Sequence, residues 1–323
     1  MRLTVPAAAA GTRLDRFVRD HAGDTSRSAV IRWIREGNVR VNGAEVRTPA
    51  RRVRTGDTID AQPVEPPPLR AAPEAIELDV VFEDDDIAVV NKPAGMVVHA
   101  GAGVRAGTLV NALLHRFGPF SDAPGNLRPG IVHRLDRFTS GVIAVAKNER
   151  SQRGLQGQFE RREVLKVYRA AVEGVLPRDP HESRRLLRHG RPVMHGGHWW
   201  LRLEMPIRRD RRNRVRMSVS AVGRPALTDV RLVRAGADCS LVEARPKTGR
   251  THQIRVHLSR AGHPVVGDTL YGARRGAHGA ELGPRYLLHA LFLEFNHPSS
   301  GERVRFEAPE PQAFRAFRAM VGI

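Results

Sequence analysis

Cysteine is all but missing from this chain: Cys239 stands alone in 323 residues. A single thiol excludes an internal disulfide, a thiolate zinc site and a cysteine-held iron–sulfur cluster, and it points to a reducing, cytoplasmic compartment. Long apolar runs are also lacking. Nothing approaches the ~18–20 residues of a membrane span, so an integral membrane protein is excluded. The opening Met1–Pro6 and the four alanines behind it are too weakly apolar for a signal peptide. No glycine fingerprint follows a strand-like run. Gly101 to Gly107 is glycine-rich but lacks the Lys-Ser/Thr of a phosphate loop and the spacing of a dinucleotide loop, which argues against a nucleotide cofactor.

What the chain has in excess is positive charge. Its 53 basic and 34 acidic residues leave a net +19. Only four of the bases are lysines, at 92, 147, 166 and 247, so arginine codons are favoured. Exchanging lysine for arginine leaves net charge unchanged, however, and the +19 needs its own reason. A polyanionic partner supplies it, because each neutralised phosphate releases condensed counterions. Charge alone does not separate RNA from DNA.

The length suggests two domains at ~100–200 residues each. Gln62-Pro63-Val64-Glu65-Pro66-Pro67-Pro68, with Pro73 beyond, reads as a stiff linker over 63–75, separating a small module at 11–62 from a large domain at 76–323. In the small module, Leu14, Phe17 and Val18 share a helical face. A second helix starts at Ser26 or Ser28 and stops at Gly37, and Asn42-Gly43 marks a hairpin. Arg27, Arg32 and Arg35 project from that second helix as candidate RNA-binding residues.

The large domain reads as α+β. Strand-like runs fall at Ile87–Asn91, Gly141–Ala146, Lys166–Val172 and Cys239–Ala244, and helices at Leu109–Phe117, Ser151–Glu160 and Gln253–Arg260. The stretch from Pro177 to Trp200 reads as an irregular surface insertion. Six arginines between Arg208 and Arg216, with Val215 and Met217 alternating, suggest a basic hairpin against phosphates, with Arg208 and Arg211 as RNA contacts.

Two segments carry chemistry. His133-Arg134-Leu135-Asp136-Arg137-Phe138-Thr139-Ser140-Gly141 puts an acid between two arginines on a turn before an apolar strand. Adjacent positive charge holds such an acid ionised, although a turn-forming Asp with salt-bridged neighbours fits the same residues. Lys247-Thr248-Gly249-Arg250-Thr251-His252-Gln253-Ile254-Arg255-Val256-His257 is a loop entering a helix, with Arg250 and Arg255 placed to bind an anion. His252 and His257 are five apart, a poor spacing for two metal ligands on one helical face.

Taken together, these segments resemble the RluA-type pseudouridine synthases. So do Asn91-Lys92-Pro93-Ala94-Gly95, Lys166-Val167-Tyr168, Val266-Gly267-Asp268-Thr269-Leu270-Tyr271-Gly272 and Leu288-His289-Ala290, in the family's order over about residues 80–310. The small module resembles the S4 RNA-binding domain. The resemblance implies a mixed, largely antiparallel sheet with flanking helices, and isomerisation of uridine in RNA without metal or diffusible cofactor. It implies Asp136 as the catalytic acid, Arg255 as its ion-pair partner and Tyr168 as the aromatic stacked on the target uracil, its hydroxyl assisting proton transfer at C5. Arg134 would fill the place of the flipped nucleotide, with Arg250 and His252 as further RNA contacts. Whether the aspartate adds covalently or removes a ribose proton stays open at this point. Ribosomal RNA of the large subunit is the expected partner and a monomer the expected state. A tRNA target and a non-catalytic ribosome-assembly factor are the alternatives.

Overall fold

The computed structural model describes residues 1–23, 25–64, 72–101, 104, 106–118, 129–274 and 285–323. Most of the proline-rich segment, and part of the Gly101–Gly107 stretch, lie outside the described residues. The chain falls into two compact units, Met1–Pro68 and Leu69–Ile323.

The first unit runs β1 (Arg2–Thr4), α1 (Leu14–His21), α2 (Arg27–Arg35), β2 (Val39–Val41), β3 (Ala44–Glu45) and β4 (Thr58–Ala61), with a sheet in the order β1-β4-β2-β3. β1 pairs with β4, so Arg2–Thr4 belong to the same sheet as the module at 11–62. Leu14, Phe17 and Val18 of α1 meet Val30, Trp33 and Ile34 of α2 in one buried core. The Ser26 hydroxyl caps α2 by accepting from the Ala29 amide. Asn42 and Gly43 both sit at positive φ (54° and 81°), as the tight turn between β2 and β3 requires.

The second unit contains β5 (Val80–Glu83), β6 (Ile87–Lys92), α3 (Leu109–Phe117), β7 (Ser140–Ala146), α4 (Glu149–Arg161), β8 (Leu165–Glu173), α5 (Arg184–Leu187), β9 (Arg191–His195), β10 (His198–Glu204), β11 (Ile207–Arg209) and β12 (Met217–Val219). It continues with β13 (Leu227–Ala235), β14 (Cys239–Pro246), α6 (Gln253–Arg260), β15 (Leu288–Asn296), β16 (Arg303–Glu307) and α7 (Gln312–Val321). Ten strands form one sheet in the order β5-β6-β7-β15-β8-β14-β13-β10-β9, with β16 also on β15; β11 and β12 make a separate hairpin. Among the described strand pairings only β7–β15 is parallel. Every residue of β7 is buried, because helices cover its face and strands flank both edges, so it reads as a continuous apolar run rather than an alternation.

The stretch from Pro177 to Trp200 is not a surface insertion. It supplies β9 and the start of β10, the strands that end the sheet. Trp200 is fully buried, with the guanidinium carbons of Arg245 and Arg231 lying 4.3 and 5.1 Å from its ring centre. Arginines on the outer positions hid the strand signal.

Cross-strand register sets the site. Lys92 pairs with Gly141, Gly141 with Ala290, Ala290 with Tyr168, and Tyr168 with Ala244, one row across four strand pairs. Gly141 (φ 108°) is required there: a Cβ would lie 2.1 Å from the Ala290 carbonyl oxygen. Residues 168, 170 and 172 share one face of β8 by the two-residue repeat. Ala170 and Val172 pack under α6, while Ala171 faces α7.

Candidate active site

Asp136 sits on the turn that leads into β7, its side chain 17% exposed. The turn is gripped from beneath. The Gly95 amide donates to the Arg137 carbonyl at 2.8 Å and the Thr139 amide to the Asp136 carbonyl at 3.1 Å. Lys92 is wholly buried, and its ammonium donates to the carbonyls of Pro93, Met96 and Arg137 at 2.9, 2.9 and 3.2 Å. Three acceptors match its three protons. Burial drives Lys92 down to about 7, against the opposing pull of the Asp136 charge.

Arg255, on the first turn of α6, is the hub. Its Nε and Nη2 donate to the two carboxylate oxygens of Asp268 at 2.6 and 2.9 Å, and its Nη1 donates to Asp136 Oδ2 at 3.2 Å. The guanidinium lies between two rings, 4.2 Å from the centre of Tyr286 and 4.9 Å from that of Tyr271. Burial opposes its charge, but the Asp268 bonds and the neighbouring oxygens outweigh it and push its pKa above the ordinary arginine value. A fork fixed on two sides by Asp268 presents its remaining nitrogen to Asp136 in one orientation.

Around the hub stand Tyr168, Tyr271 and Tyr286, which are all the tyrosines in the chain. Tyr168 packs against both main core clusters from its half-buried place on β8. Its cross-strand partners on both sides are alanines, Ala244 and Ala290. Burial, then the Asp136 charge, raises the Tyr168 and Tyr286 phenols well above their ordinary value. Both remain neutral hydroxyls, able to donate a hydrogen bond.

His252 caps α6 in the left-handed conformation (φ 56°), a strained choice for a non-glycine residue. Its Nδ1 lies 2.8 Å from the Tyr271 hydroxyl, and its Nε2 lies 4.0 Å from Asp136 Oδ1. The Met217 amide donates to that hydroxyl at 2.8 Å, which ties the β11–β12 hairpin to the site. Burial, against Asp136, keeps the His252 ring below its usual pKa.

The other histidines of the motifs are structural. His133 accepts from the Ala144 amide at 2.9 Å and stacks on Phe159, and burial pushes it down to about 3. His257 bridges Thr228 and the Met205 carbonyl, and burial takes it to about 4. It serves the packing of α6 and shares no ligand geometry with His252.

Arg134 is exposed and close enough for its charge to lower the His252 pKa. Arg250 donates through Nε to the Pro225 carbonyl at 3.0 Å. Arg208 lies on β11 and Arg211 in the exposed turn that follows it, where Arg216 also reaches over the Tyr271 ring at 5.4 Å. Of the three α2 arginines, only Arg35 is exposed and without a side-chain salt bridge among the described residues. Arg27 is drawn into a pair with the buried carboxylate of Asp15 at 2.7 Å, which Arg13 shares at 3.0 Å. Arg32 donates to the Val64 carbonyl at 3.1 Å. Arg13, Arg16, Arg19 and Arg27 line one cleft of about 350 Å³, a basic surface on α1 that attention to α2 missed. Also missed was Asp268, although its motif was noted.

Comparison with known proteins decides the family. The model of the RNA pseudouridylate synthase family matches residues 86–260, and that of the S4 domain residues 12–59. The chain belongs to the RNA pseudouridylate synthase family. It is 40% identical over 94% of its length to an uncharacterized RNA pseudouridine synthase of Aquifex aeolicus, covering 92% of that protein. It is 41% identical over 96% of its length to the ribosomal large subunit pseudouridine synthase D of Neisseria meningitidis serogroup A, covering 78% of it. Among solved structures it matches human RNA pseudouridylate synthase domain containing 1 with a TM-score of 0.54 and 28% identity, over 79% of this chain and 90% of that one. The second unit is thus a pseudouridine synthase, an RNA isomerase, and the first an S4 RNA-binding domain. Among the described residues no helix is long and apolar enough to cross a membrane.

Proposed function

We propose that this enzyme isomerises uridines of large-subunit ribosomal RNA, acting as a cytoplasmic monomer with Asp136 as the essential carboxylate. Relatives named as ribosomal large subunit pseudouridine synthases, matched over nearly the whole chain, support that target over tRNA. The observation that carries the site assignment is the Arg255 fork, locked by Asp268 and offering one nitrogen to Asp136 at 3.2 Å. That contact engages Oδ2, while Oδ1 lies 4.0 Å from His252 Nε2, beyond hydrogen-bond distance.

The reaction breaks the N1–C1′ bond, turns the uracil and forms C5–C1′; C5 loses a proton and N1 gains one, so nothing is added or removed. An ionised Asp136 is required whether it adds to the nucleotide or takes a ribose proton, and the charge of Arg255 stabilises the ionised form in either case. Tyr168 offers an aromatic face on which an extruded uracil stacks. Arg134 takes the vacated position in the RNA stack. Arg250, His252, Arg208 and Arg211 contact the strand, joined by Arg27, Arg32 and Arg35 of the S4 domain. We read residues 11–62 and 76–323 as the RNA-binding and catalytic domains, joined by 63–75.

The test is Asp136→Asn, which keeps shape and hydrogen bonding but removes the charge. Pseudouridine formation on transcribed large-subunit ribosomal RNA should vanish while affinity for the RNA stays within a few-fold. An Asn variant that turns over near the wild-type rate refutes the assignment.

A further inference from the structure

Beyond the target site lies a basic pocket with no assigned use. It has a volume of about 220 Å³ and is formed where the end of α4 meets the start of β8 and the end of β14. Four cations line it, Arg162, Lys166, Arg245 and Lys247, against one acid, Glu163. Glu163 is already engaged, accepting from Arg161 Nε and Nη2 at 2.7 and 3.0 Å. Arg245 is likewise engaged by Glu243, at 2.9 Å, and by the face of Trp200. That leaves Arg162, Lys166 and Lys247, none of which makes a salt bridge among the described residues.

Like charges gathered without a counter-ion raise one another's energy. Lys166 registers this: burial first, then Lys247 and Arg162, push its ammonium down to about 8. Arg162 adds a second cost. It closes α4 in the left-handed conformation (φ 63°, ψ 31°), which glycine adopts without penalty and an arginine does not. The chain holds an arginine there instead, and its side chain is one of those lining the pocket. The placement is as telling as the charge. Lys166 and Tyr168 share a face of β8 two residues apart, about 6.6 Å along the strand. An anion seated on Lys166 is therefore one short step from a base on Tyr168.

We propose that Arg162, Lys166 and Lys247 form a subsite for a backbone phosphate of the RNA strand beside the target uridine. The subsite rests on the reading of Tyr168 as the stacking platform for that uridine. It places the strand's direction across the sheet: from Tyr168 toward the β8 start, away from the β11–β12 hairpin. It also accounts for two of the four lysines. A compact ammonium offers protons to a phosphate in any direction, whereas a guanidinium presents a fixed plane.

The experiment compares the full-length wild type with Lys247→Met, Lys166→Met and the double variant on transcribed large-subunit ribosomal RNA. Binding is measured against salt, and pseudouridine formation is measured in parallel. Losing one phosphate contact should make the slope of log affinity against log salt shallower by about 0.7–0.9. KM should rise about tenfold in the double variant, more than kcat falls, and Lys166→Arg with Lys247→Arg should restore part of the affinity. Lys247 is exposed, so its variant keeps the test alive if Lys166→Met fails to fold. A Lys247→Met enzyme with wild-type slope and affinity overturns the subsite. So does inorganic phosphate at millimolar concentration raising the melting temperature of the wild type but not of the double variant while both keep the same salt slope on RNA, which would mean a free-anion site. Wild-type enzyme that leaves the transcript unmodified, while the slope still changes with Lys247, would instead refute the target and leave the subsite standing.

Discussion

The locked fork makes a prediction in which two aspartates on one arginine behave oppositely. Arg255 and Asp268 are both buried, their side chains 6% and 2% exposed, and are joined by two hydrogen bonds of 2.6 and 2.9 Å. Removing one member of such a buried pair strands the other charge and costs about 3–5 kcal/mol. Asp136 and two tyrosine faces would still hold the guanidinium, so Asp268→Asn belongs at the lower end, about 3 kcal/mol. For a unit of this size each kcal/mol moves the melting temperature by roughly 2–4 °C, so a fall of about 6–12 °C is expected. Asp136→Asn removes a single 3.2 Å bond from an arginine that Asp268 already satisfies, and should cost about 1 kcal/mol or less. Calorimetry of the full chain, with the two units read as separate transitions, measures both. Turnover should vanish in Asp136→Asn and fall in Asp268→Asn, because a released fork no longer aims at Asp136. Melting of Asp268→Asn together with the wild type, or a larger loss in Asp136→Asn, would refute the view that Asp268 positions Arg255.

Lys92→Arg should lose about 1–3 kcal/mol in a chemical denaturation midpoint, since a planar guanidinium overfills a fully buried site built for three carbonyl bonds, whereas Lys166→Arg, facing an open pocket, should unfold with the wild type. Acid stability should follow the buried histidines. His257 is neutral when folded down to about pH 4, so its contribution is complete above the unfolded value of about 6.5 and is lost as pH falls through about 4. His257→Gln should flatten the melting-temperature profile between those pH values, by up to about 3 kcal/mol at the acid end, and a profile parallel to wild type would exclude His257 as the cause. A chain starting at Leu69 should fold, and should bind ribosomal RNA more weakly and with a shallower salt slope than the full chain. One starting at Ala75 should fold less well, because the Asn111 side-chain amide donates to the Ala72 carbonyl at 2.7 Å and the Glu74 amide to the Asn111 carbonyl at 3.0 Å. Equal affinity and slope for the Leu69 chain would mean the S4 domain does not touch this RNA.

What the sequence disclosed and what it hid divide along the range of the interactions. The helices at Leu109–Phe117 and Gln253–Arg260 agree with their patterns end to end, because hydrophobic spacing and caps act within a turn. Asp136, Arg255 and Tyr168 stood out because each lies in a run of unusual neighbours. Their partners did not. The helical pattern shows Arg27 only as a cation projecting from α2, and it is the packing of α1 on α2 that brings it to Asp15, twelve residues away. Asp268 lies thirteen residues beyond Arg255, and no local pattern says which acid a buried arginine will choose. The Met217–Tyr271 bond spans 54 residues and joins the basic hairpin to the ring that stacks on Arg255. Lysine scarcity was the one global signal that reached into the site. Its reason is local geometry: Lys92 fits three converging carbonyls, and Lys166 and Lys247 face one small pocket. A chain that uses arginine almost everywhere keeps lysine where the charge must be compact. For Lys92 that demand comes from the turn carrying Asp136, so the substitution that tests the lysine also tests how rigidly the Asp136 carboxylate is held.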